Sequence, residues 1–228
     1  MAHLLEMKNI CKSFSGVSVL KNNHLELEAG EVHALLGENG AGKSTLIKIL
    51  GGVYTKDSGQ ILVDGQEVEI TGVESAKEHG IRIIHQELML IPDMTISENI
   101  FIGQEPKTKA GTVDKKKMNE MAQGFLDSMH LDLKSTQFIR DLNIAQQQMV
   151  EIIRAISFGA KIIVMDEPTS SLTENEVDAL FEAIKALKAK NVGIIYISHR
   201  MAELDAITDR ITVMRDGEYI DTVVTKET

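Results

Sequence analysis

The chain of 228 residues is long enough for one large domain with a substantial core, and its formal net charge of −10 excludes unselective binding to nucleic acid. A single cysteine, Cys11, excludes an intramolecular disulfide and a cysteine-cluster metal site. No apolar run approaches the roughly 18 residues of a membrane helix and no signal peptide is visible, so we expect a soluble protein that reaches a membrane only through a partner.

Residues 4–36 are predicted to form antiparallel strands. Leu5 and Met7 alternate with charged residues, as do Leu25 and Leu27, and a period of two indicates strands with one buried face. Phe14 lies at a predicted strand end. The residues alone leave two interpretations equally open for it, an ordinary core aromatic or a ring that stacks on a nucleotide base.

A glycine-rich loop lies between a predicted buried strand over residues 31–36 and a predicted helix over residues 46–50. It fits the phosphate-loop pattern G-x-x-x-x-G-K-[ST] in the strand–loop–helix context that the pattern requires. Its glycines allow positive φ, and its N–H groups with the helix N-terminus form an anion cradle. The loop residues are, in order, Gly37, Glu38, Asn39, Gly40, Ala41, Gly42, Lys43, Ser44 and Thr45. We expect Lys43 to reach the outer phosphates of a nucleotide and Ser44 to hold a magnesium ion; a chance glycine-rich turn is the alternative.

The following stretch predicts a hairpin over residues 59–70, a short helix over 73–79 and a strand over 81–85. Gln86 follows that strand directly. Open α/β sheets place their chemistry just beyond the ends of parallel strands. A polar turn is the alternative, and it suits the next residue, Glu87.

Residues 88–157 change to a helical pattern. Apolar residues between 118 and 129 recur every three or four positions, which is typical of one face of an amphipathic helix, and Asp114 is suited to cap it. A further helix is expected to begin near Gln146 and to run through Ser157.

A second strong pattern is the unbroken apolar strand over residues 162–165, which is typical of a strand buried on both faces. Asp166 and Glu167 follow it, at the rim where we expect the phosphate loop. One carboxylate suits a magnesium ion and the next suits a base that activates water. A solvated acidic turn is the alternative.

The remaining residues predict a helix, a strand and a hairpin. Thr173 and Glu176 form a capping-box pattern at the start of the helix, and residues 211–224 form the closing hairpin. His199 stands just past the buried strand over residues 194–197. A lone histidine is more often structural than catalytic, but the end of a central strand favours function.

Taken together, these residues resemble an ATP-binding cassette ATPase over nearly the whole chain. The matching segments are residues 37–45 (Walker A), Gln86 (Q-loop), 142–146 (signature), 162–167 (Walker B with the catalytic glutamate), 170–173 (D-loop) and His199 (H-loop). Phe14 falls at the family's adenine-stacking aromatic, which favours the functional interpretation of that residue.

The resemblance implies an α/β fold of the P-loop NTPase (RecA-like) type, with a mostly parallel core, an antiparallel β subdomain and an α-helical subdomain. A single ABC ATPase domain would span residues 1–228. The nucleotide-binding core with the β subdomain would take residues 1–87 and 158–228, and the helical subdomain would take residues 88–157, including the signature segment.

The resemblance also implies ATP and Mg²⁺ as ligands and gives each matched residue a role. Lys43 and the loop amides would hold the phosphates, and Glu167 would polarise the attacking water. His199 would contact the terminal phosphate and steady Glu167. Magnesium would be ordered by Ser44, Gln86 and Asp166. The nucleotide contacts would come from Phe14, residues 37–45 and, across a cassette pair, Asn143, Ile144, Ala145 and Gln146.

Segments such as residues 14–17, 85–88 and 145–152 are most similar to the N-terminal cassette of bacterial monosaccharide importers. This implies an ATPase that powers sugar import from the cytoplasmic face of the inner membrane, where it is peripheral. The implied partners are a second cassette (the C-terminal half of the same polypeptide), an integral membrane permease and, indirectly, a sugar-binding protein; no nucleic acid is expected.

Departures from the family pattern keep a binding-only regulatory cassette open as an alternative. Asn143 replaces the signature serine, Ile144 and Ala145 replace the glycine pair, and Thr173 replaces the D-loop aspartate. A ribosome-associated cassette ATPase is a second alternative, because the linker between cassettes that is diagnostic of that class could lie outside this chain. A metabolite kinase would lack the ordered set of segments, and a DNA-repair cassette would carry a long coiled-coil insertion.

Overall fold

The computed structural model describes residues 3–129 and 131–227, and within them ten strands form one continuous sheet with seven α-helices around it. The strands are β1 (Leu5–Phe14), β2 (Val17–Leu27), β3 (Val32–Gly37), β4 (Ser58–Val63), β5 (Gln66–Glu67), β6 (Ile81–Ile84), β7 (Ile162–Asp166), β8 (Gly193–Ile197), β9 (Arg210–Arg215) and β10 (Glu218–Val224). The helices are α1 (Lys43–Leu50), α2 (Val73–Glu78), α3 (Ile96–Phe101), α4 (Lys115–Ser128), α5 (Ile144–Ile156), α6 (Glu174–Ala189) and α7 (Met201–Ile207).

The strand order is β5-β4-β1-β2-β10-β9-β3-β8-β7-β6. Strands β1, β2, β4 and β5 pair antiparallel, whereas β9, β3, β8, β7 and β6 pair parallel to one another. Strand β10 joins the two parts, because it is antiparallel to β9 and meets β2 in parallel at Glu218 and Lys21. The predicted α/β class with a mostly parallel core is therefore confirmed.

One expectation for the N-terminal strands is wrong. The antiparallel prediction over residues 4–36 holds for β1 and β2, but β3 pairs in parallel with β8 and β9. Val32, Ala34 and Leu35 of β3 have no exposed surface, so this strand is covered on both faces. Strands buried on both faces occur mainly in parallel sheets, where crossover helices provide the cover.

Three apolar clusters hold the described residues together. One lies between the antiparallel strands and α1, a second packs α6 and α7 on the parallel strands, and a third joins α3, α4 and α5. Helix α5 belongs to two of them, since Met149 and Ile152 face the second cluster whereas Val150 and Ile153 face the third. This helix therefore connects the helical part of the chain rigidly to the sheet.

Side-chain caps begin several helices as the sequence predicts. Asp114 accepts a hydrogen bond of 3.0 Å from the N–H of Lys117 at the start of α4. The Glu176 carboxylate accepts from the N–H and the hydroxyl of Thr173, both at 2.9 Å, at the start of α6. Among the helices of residues 3–129 and 131–227, none combines the length and the apolar character needed to cross a bilayer.

Candidate active site

The carboxyl ends of four neighbouring strands meet at one edge of the sheet. In the register of β6, β7 and β8, Ile84 pairs with Met165, and Met165 pairs with Tyr196. Tyr196 is also opposite Ala34 of β3. The polar residues that follow these strands therefore emerge at the same level of the sheet, as the sequence predicted for Gln86, Glu167 and His199.

The loop over residues 37–45 follows β3 and opens α1. Gly40 and Gly42 have φ of +88° and +98°, in the left-handed region that disfavours side chains. A Cβ on Gly42 would lie 2.7 Å from a methyl carbon of Leu20 and 3.2 Å from the carbonyl oxygen of Val19. Only glycine fits between α1 and strand β2 at this position, so the β1–β2 hairpin supports the loop from one side.

Lys43 follows Gly42 as the first residue of α1. Its ammonium donates to the carbonyl oxygens of Gly37 at 2.5 Å and of Glu38 at 3.1 Å, so the side chain lies along the loop. Burial lowers the pKa of Lys43, while the charges of Glu167 and Asp166 act in the opposite direction. The tertiary structure therefore brings the lysine of one motif to the carboxylates of the other.

Asp166 and Glu167 extend β7 toward the loop. Burial raises the pKa of Asp166, and the neighbouring Glu167 charge adds to this, whereas His85, Lys43 and Lys48 lower it. Such a shift is common where acidic groups are held for a functional purpose. The backbone of Glu167 has φ of +46°, a conformation that non-glycine residues rarely adopt and that is enriched at functional sites.

His199 and Glu167 contact each other directly. Nδ1 of the histidine lies 3.0 Å from Oε1 of the glutamate, and the N–H of Glu167 donates to the carbonyl of Ile197 at 2.9 Å. The imidazole remains 72% exposed, whereas the Glu167 side chain is 31% exposed. The arrangement orients a carboxylate with a ring that keeps its other nitrogen available to a ligand.

Gln86 lies in the exposed segment after β6. The backbone of Met89, three residues further along, forms hydrogen bonds with two side chains of α5. Oε1 of Glu151 accepts the N–H of Met89 at 2.9 Å, and Arg154 donates to the carbonyl of Met89 at 3.1 Å. Burial raises the pKa of Glu151 and Arg154 opposes this. The sequence analysis missed this connection between the Gln86 segment and α5, because it joins residues more than 60 positions apart.

Phe14 lies at the tip of the β1–β2 hairpin and is 37% exposed. Its ring contacts Tyr54 edge-on, with ring centroids 5.0 Å apart, and the ammonium of Lys12 lies 5.5 Å from its centroid. One face of the aromatic is thus supported by protein while part of it stays accessible. The hairpin that carries Phe14 is the one that touches Gly42.

The segment of residues 143–146 begins α5. The Oδ1 of Asn143 accepts the N–H of Gln146 at 2.8 Å, and the Oε1 of Gln146 accepts the N–H of Asn143 at 3.0 Å. This is a reciprocal capping box. Among the described hydrogen bonds, none joins residues 143–146 to the loop of residues 37–45 or to Glu167 and His199.

A cavity of about 400 Å³ lies beside the Gln86 segment. Four apolar side chains around it are exposed, namely Val53, Val73, Met89 and Ile102. The charged pair Glu151 and Arg154 also lines it.

Comparisons with known proteins agree with this geometry. The sequence profile of a family described as ABC transporter matches residues 20–170. A relative from Halalkalibacterium halodurans, described provisionally as a ribose/galactose/methyl galactoside import ATP-binding protein, is 52% identical over 98% of the chain. The Ribose import ATP-binding protein RbsA of Geobacillus kaustophilus is 49% identical over 99% of the chain. The chain spans only 43% and 46% of the length of these two relatives.

Solved structures with a similar fold include ATP-binding cassettes of ABC transporters. An ATP-binding cassette of an ABC transporter in its ADP conformation aligns with a TM-score of 0.86 and 26% identity, covering 100% of this chain and 93% of that one. A nucleotide-free cassette aligns with a TM-score of 0.84, also at 26% identity, over 97% of this chain and 91% of that one.

Proposed function

The chain belongs to the ABC transporter family, and on this premise we propose that it binds and hydrolyses ATP to power monosaccharide import through a membrane permease. The observation that carries the proposal is the convergence of Lys43, Asp166, Glu167 and His199 at one edge of the sheet. The proposal that the transported substrate is a sugar is supported by the relatives, whose names refer to ribose and galactose import.

The phosphate loop fits the triphosphate of ATP. Its glycines at positive φ turn consecutive N–H groups toward one point, and the N-terminus of α1 adds the positive end of a helix dipole. Lys43 provides a mobile positive charge at the loop, because an ammonium on a flexible stem can exchange carbonyl partners for phosphate oxygens. Phe14 offers a supported aromatic face to adenine.

Magnesium fits the oxygen donors at this edge. Ser44, Gln86 and Asp166 offer a hydroxyl, an amide oxygen and a carboxylate, which are the hard ligands that Mg²⁺ prefers. When bound, Mg²⁺ would neutralise part of the negative charge of the phosphates. The raised pKa of Asp166 reflects burial beside Glu167, and a dication beside it would favour the ionised carboxylate.

Glu167 acts as the base that orients and deprotonates the attacking water. His199 holds the Glu167 carboxylate through the 3.0 Å contact at Nδ1 and turns the other ring nitrogen to the terminal phosphate. Catalysis of phosphoryl transfer is mostly positioning and charge stabilisation, which is the kind of help that these side chains give.

A second cassette completes each ATP site in this proposal. Asn143, Ile144, Ala145 and Gln146 begin α5 and make no described hydrogen bond to this chain's own phosphate loop. We infer that they contact a nucleotide held by a partner cassette. The relatives are more than twice as long as this chain, which leaves room for that cassette in the same polypeptide. We further propose that residues 88–157 act as the helical subdomain, because α3, α4 and α5 share their own apolar cluster.

The cavity beside the Gln86 segment is the proposed contact for the permease, which would hold the protein at the cytoplasmic face of the membrane. It combines exposed apolar side chains with a direct connection to α5 through Met89, Glu151 and Arg154. A permease segment seated there would move the Gln86 segment and the signature helix together. A sugar-binding protein would act through the permease alone.

Sugar uptake and ATP turnover by the full-length protein with its permease in proteoliposomes test this function. Wild type should hydrolyse ATP only with Mg²⁺ and should accumulate a ribose- or galactose-type sugar. Glu167→Gln should keep ATP affinity and lose turnover by about 10²-fold. Unchanged turnover in this variant would remove Glu167 from its role, and ATP binding without any turnover in wild type would favour the regulatory alternative.

A further inference from the structure

The buried carboxylate of Glu203 on α7 lies behind the candidate active site and is not one of its predicted residues. It is only 7% exposed and accepts hydrogen bonds from residues on both sides of that site. The donors are Thr169 at 2.8 and 2.9 Å, Tyr196 at 2.9 Å, Ser198 at 2.9 Å and Arg200 at 3.2 Å. A buried charge is tolerated only when it is satisfied in this way.

The loop that carries Glu167 and the loop that carries His199 each supply one of these donors. Thr169 stands two positions after Glu167, and Ser198 stands directly before His199. Both donors are themselves buried, with 2% and 5% of their surface exposed. Glu203 is therefore one anchor shared by the loop after β7 and the loop after β8.

Tyr196 and Arg200 complete the set of donors to the Glu203 carboxylate. Burial and the neighbouring charge of Glu203 raise the pKa of Tyr196, so the phenol stays protonated and donates its hydrogen. Arg200 lies one turn before Glu203 and provides the compensating positive charge. A carboxylate whose two oxygens both accept hydrogen bonds is held in one orientation.

The two loops need such an anchor. Glu167 is held in a left-handed backbone conformation, which persists only when surrounding contacts determine it. The Glu167–His199 contact also requires two loops to keep a separation of 3.0 Å between side-chain atoms. The hydrogen bond from the Glu167 N–H to Ile197 joins the two loops through the backbone, and the Glu203 carboxylate joins them through side chains.

We propose that Glu203 is a positioning residue that sets the geometry of Glu167 and His199 by hydrogen bonding to Thr169 and Ser198. The proposal rests on the proposed ATPase function and adds to it a residue that contacts neither substrate nor water. Its specific consequence is that loss of the carboxylate lowers kcat while ATP binding stays, because the phosphate loop is not attached to this network.

The test compares Glu203→Gln with the matched control Asp205→Asn, which neutralises an exposed carboxylate on the same helix. The glutamine keeps the size but turns an amide N–H₂ toward groups that donate. In the full-length protein with its permease, we expect kcat to fall by about 10²-fold for Glu203→Gln with KM for ATP unchanged, since small misplacements of catalytic groups have effects of that size. Asp205→Asn should match wild type.

Amide hydrogen exchange of the same complexes gives a readout that does not depend on turnover. Exchange should accelerate in residues 167–170 and in residues 198–200 of Glu203→Gln together, and in neither segment of Asp205→Asn. Turnover within about twofold of wild type, a rise of KM alone, or unchanged exchange in either segment would overturn the proposal. If wild type hydrolyses no ATP, the proposed function fails. The amide hydrogen exchange of Glu203→Gln still decides in that case whether Glu203 holds both loops.

A second pair of variants applies if Glu203→Gln does not fold. Thr169→Val removes one hydroxyl without changing the size of the side chain, and Thr169→Ser restores it. Valine should lower kcat at constant KM, and serine should recover most of the loss. Equal turnover of the two variants would overturn the proposal from the Thr169 side.

Discussion

His199 and Glu167 are 32 positions apart in the chain, yet Nδ1 of the histidine lies 3.0 Å from Oε1 of the glutamate. The contact follows from the pairing of β7 with β8, in which Asp166 is opposite Ile197. Each side chain therefore stands one or two residues past the same pair. This relationship makes the two residues one unit.

A double-mutant cycle on ATP turnover measures this unit. Glu167→Gln and His199→Gln should each lower kcat by about 10²-fold, and the double variant should be no slower than the slower single variant, because residues that act together are not additive. The ATP affinity of all three should equal that of wild type. Glu182→Gln, an exposed position on α6, is the control. Losses that multiply in the double variant would show that the residues act independently.

Lys43→Ala should weaken ATP binding by about 10-fold or more, because a charge-assisted hydrogen bond contributes roughly 1.5–3 kcal/mol. ADP binding should weaken less, since it lacks the outer phosphate. Calorimetry with both nucleotides measures the difference, and Lys185→Ala on the exposed face of α6 is the control. Equal affinities of Lys43→Ala and wild type for ATP would refute the phosphate role of this lysine.

Two variants of Asn143 separate its role as the cap of α5 from its role as a hydrogen-bond donor to a nucleotide. The cap uses Oδ1, so Asn143→Asp keeps the acceptor and removes the amide N–H₂, whereas Asn143→Ser keeps both a cap acceptor and a donor. If the amide contacts the partner cassette's nucleotide, aspartate should lower turnover at the opposite site by about 10-fold or more, and serine should keep or raise it. If the residue only caps α5, the two variants should match wild type. ATP binding by this cassette should not change in either case.

Ionisation of Glu31 should make the free energy of unfolding depend on pH in the acid range. Burial by itself raises the pKa of Glu31, but hydrogen bonds from His33 and Arg210 outweigh it and lower the pKa from 4.5 to about 2. A lowered folded-state pKa stabilises the protein above pH 4.5, and this contribution disappears as pH falls from 4.5 through about 2. The contribution at neutral pH is on the order of 3 kcal/mol.

Urea unfolding between pH 2 and 7 measures this effect. Glu31→Gln should be less stable than wild type at pH 7, and the difference should shrink toward pH 2. Glu120→Gln on the exposed face of α4 should parallel wild type throughout. A constant difference across the range would contradict the assignment of the effect to ionisation of Glu31.

Ile102→Glu tests the cavity as the permease contact. Ile102 is 43% exposed at its rim, so a charge there should not disturb the core, but it should weaken an apolar contact. We expect less cassette protein to co-purify with the permease, with ATP binding unchanged. Ile220→Glu, a similarly exposed isoleucine on β10, is the control. Normal co-purification of Ile102→Glu would remove this cavity from the interface.

Much of this protein could be predicted from sequence because its signals are local. The phosphate loop joins an apolar strand to a helix within 20 residues, and the caps at Asp114 and Thr173 act over three positions. The buried run before Asp166 predicts a central strand by its composition alone. These patterns work because backbone conformation and hydrogen bonding between near neighbours depend on neighbouring residues.

The tertiary structure decided what depends on distant residues. The parallel pairing of β3, the contact of Glu167 with His199 and the anchoring of both loops by Glu203 arise from strand order, which no local pattern contains. The hydrogen bonds between Met89 and the side chains of Glu151 and Arg154 likewise join residues that are distant in the chain. The sequence by itself determined where the candidate residues stand along the chain, whereas the packing of strands and helices decided which of them meet, since burial satisfies polar groups with whatever partner the fold brings near.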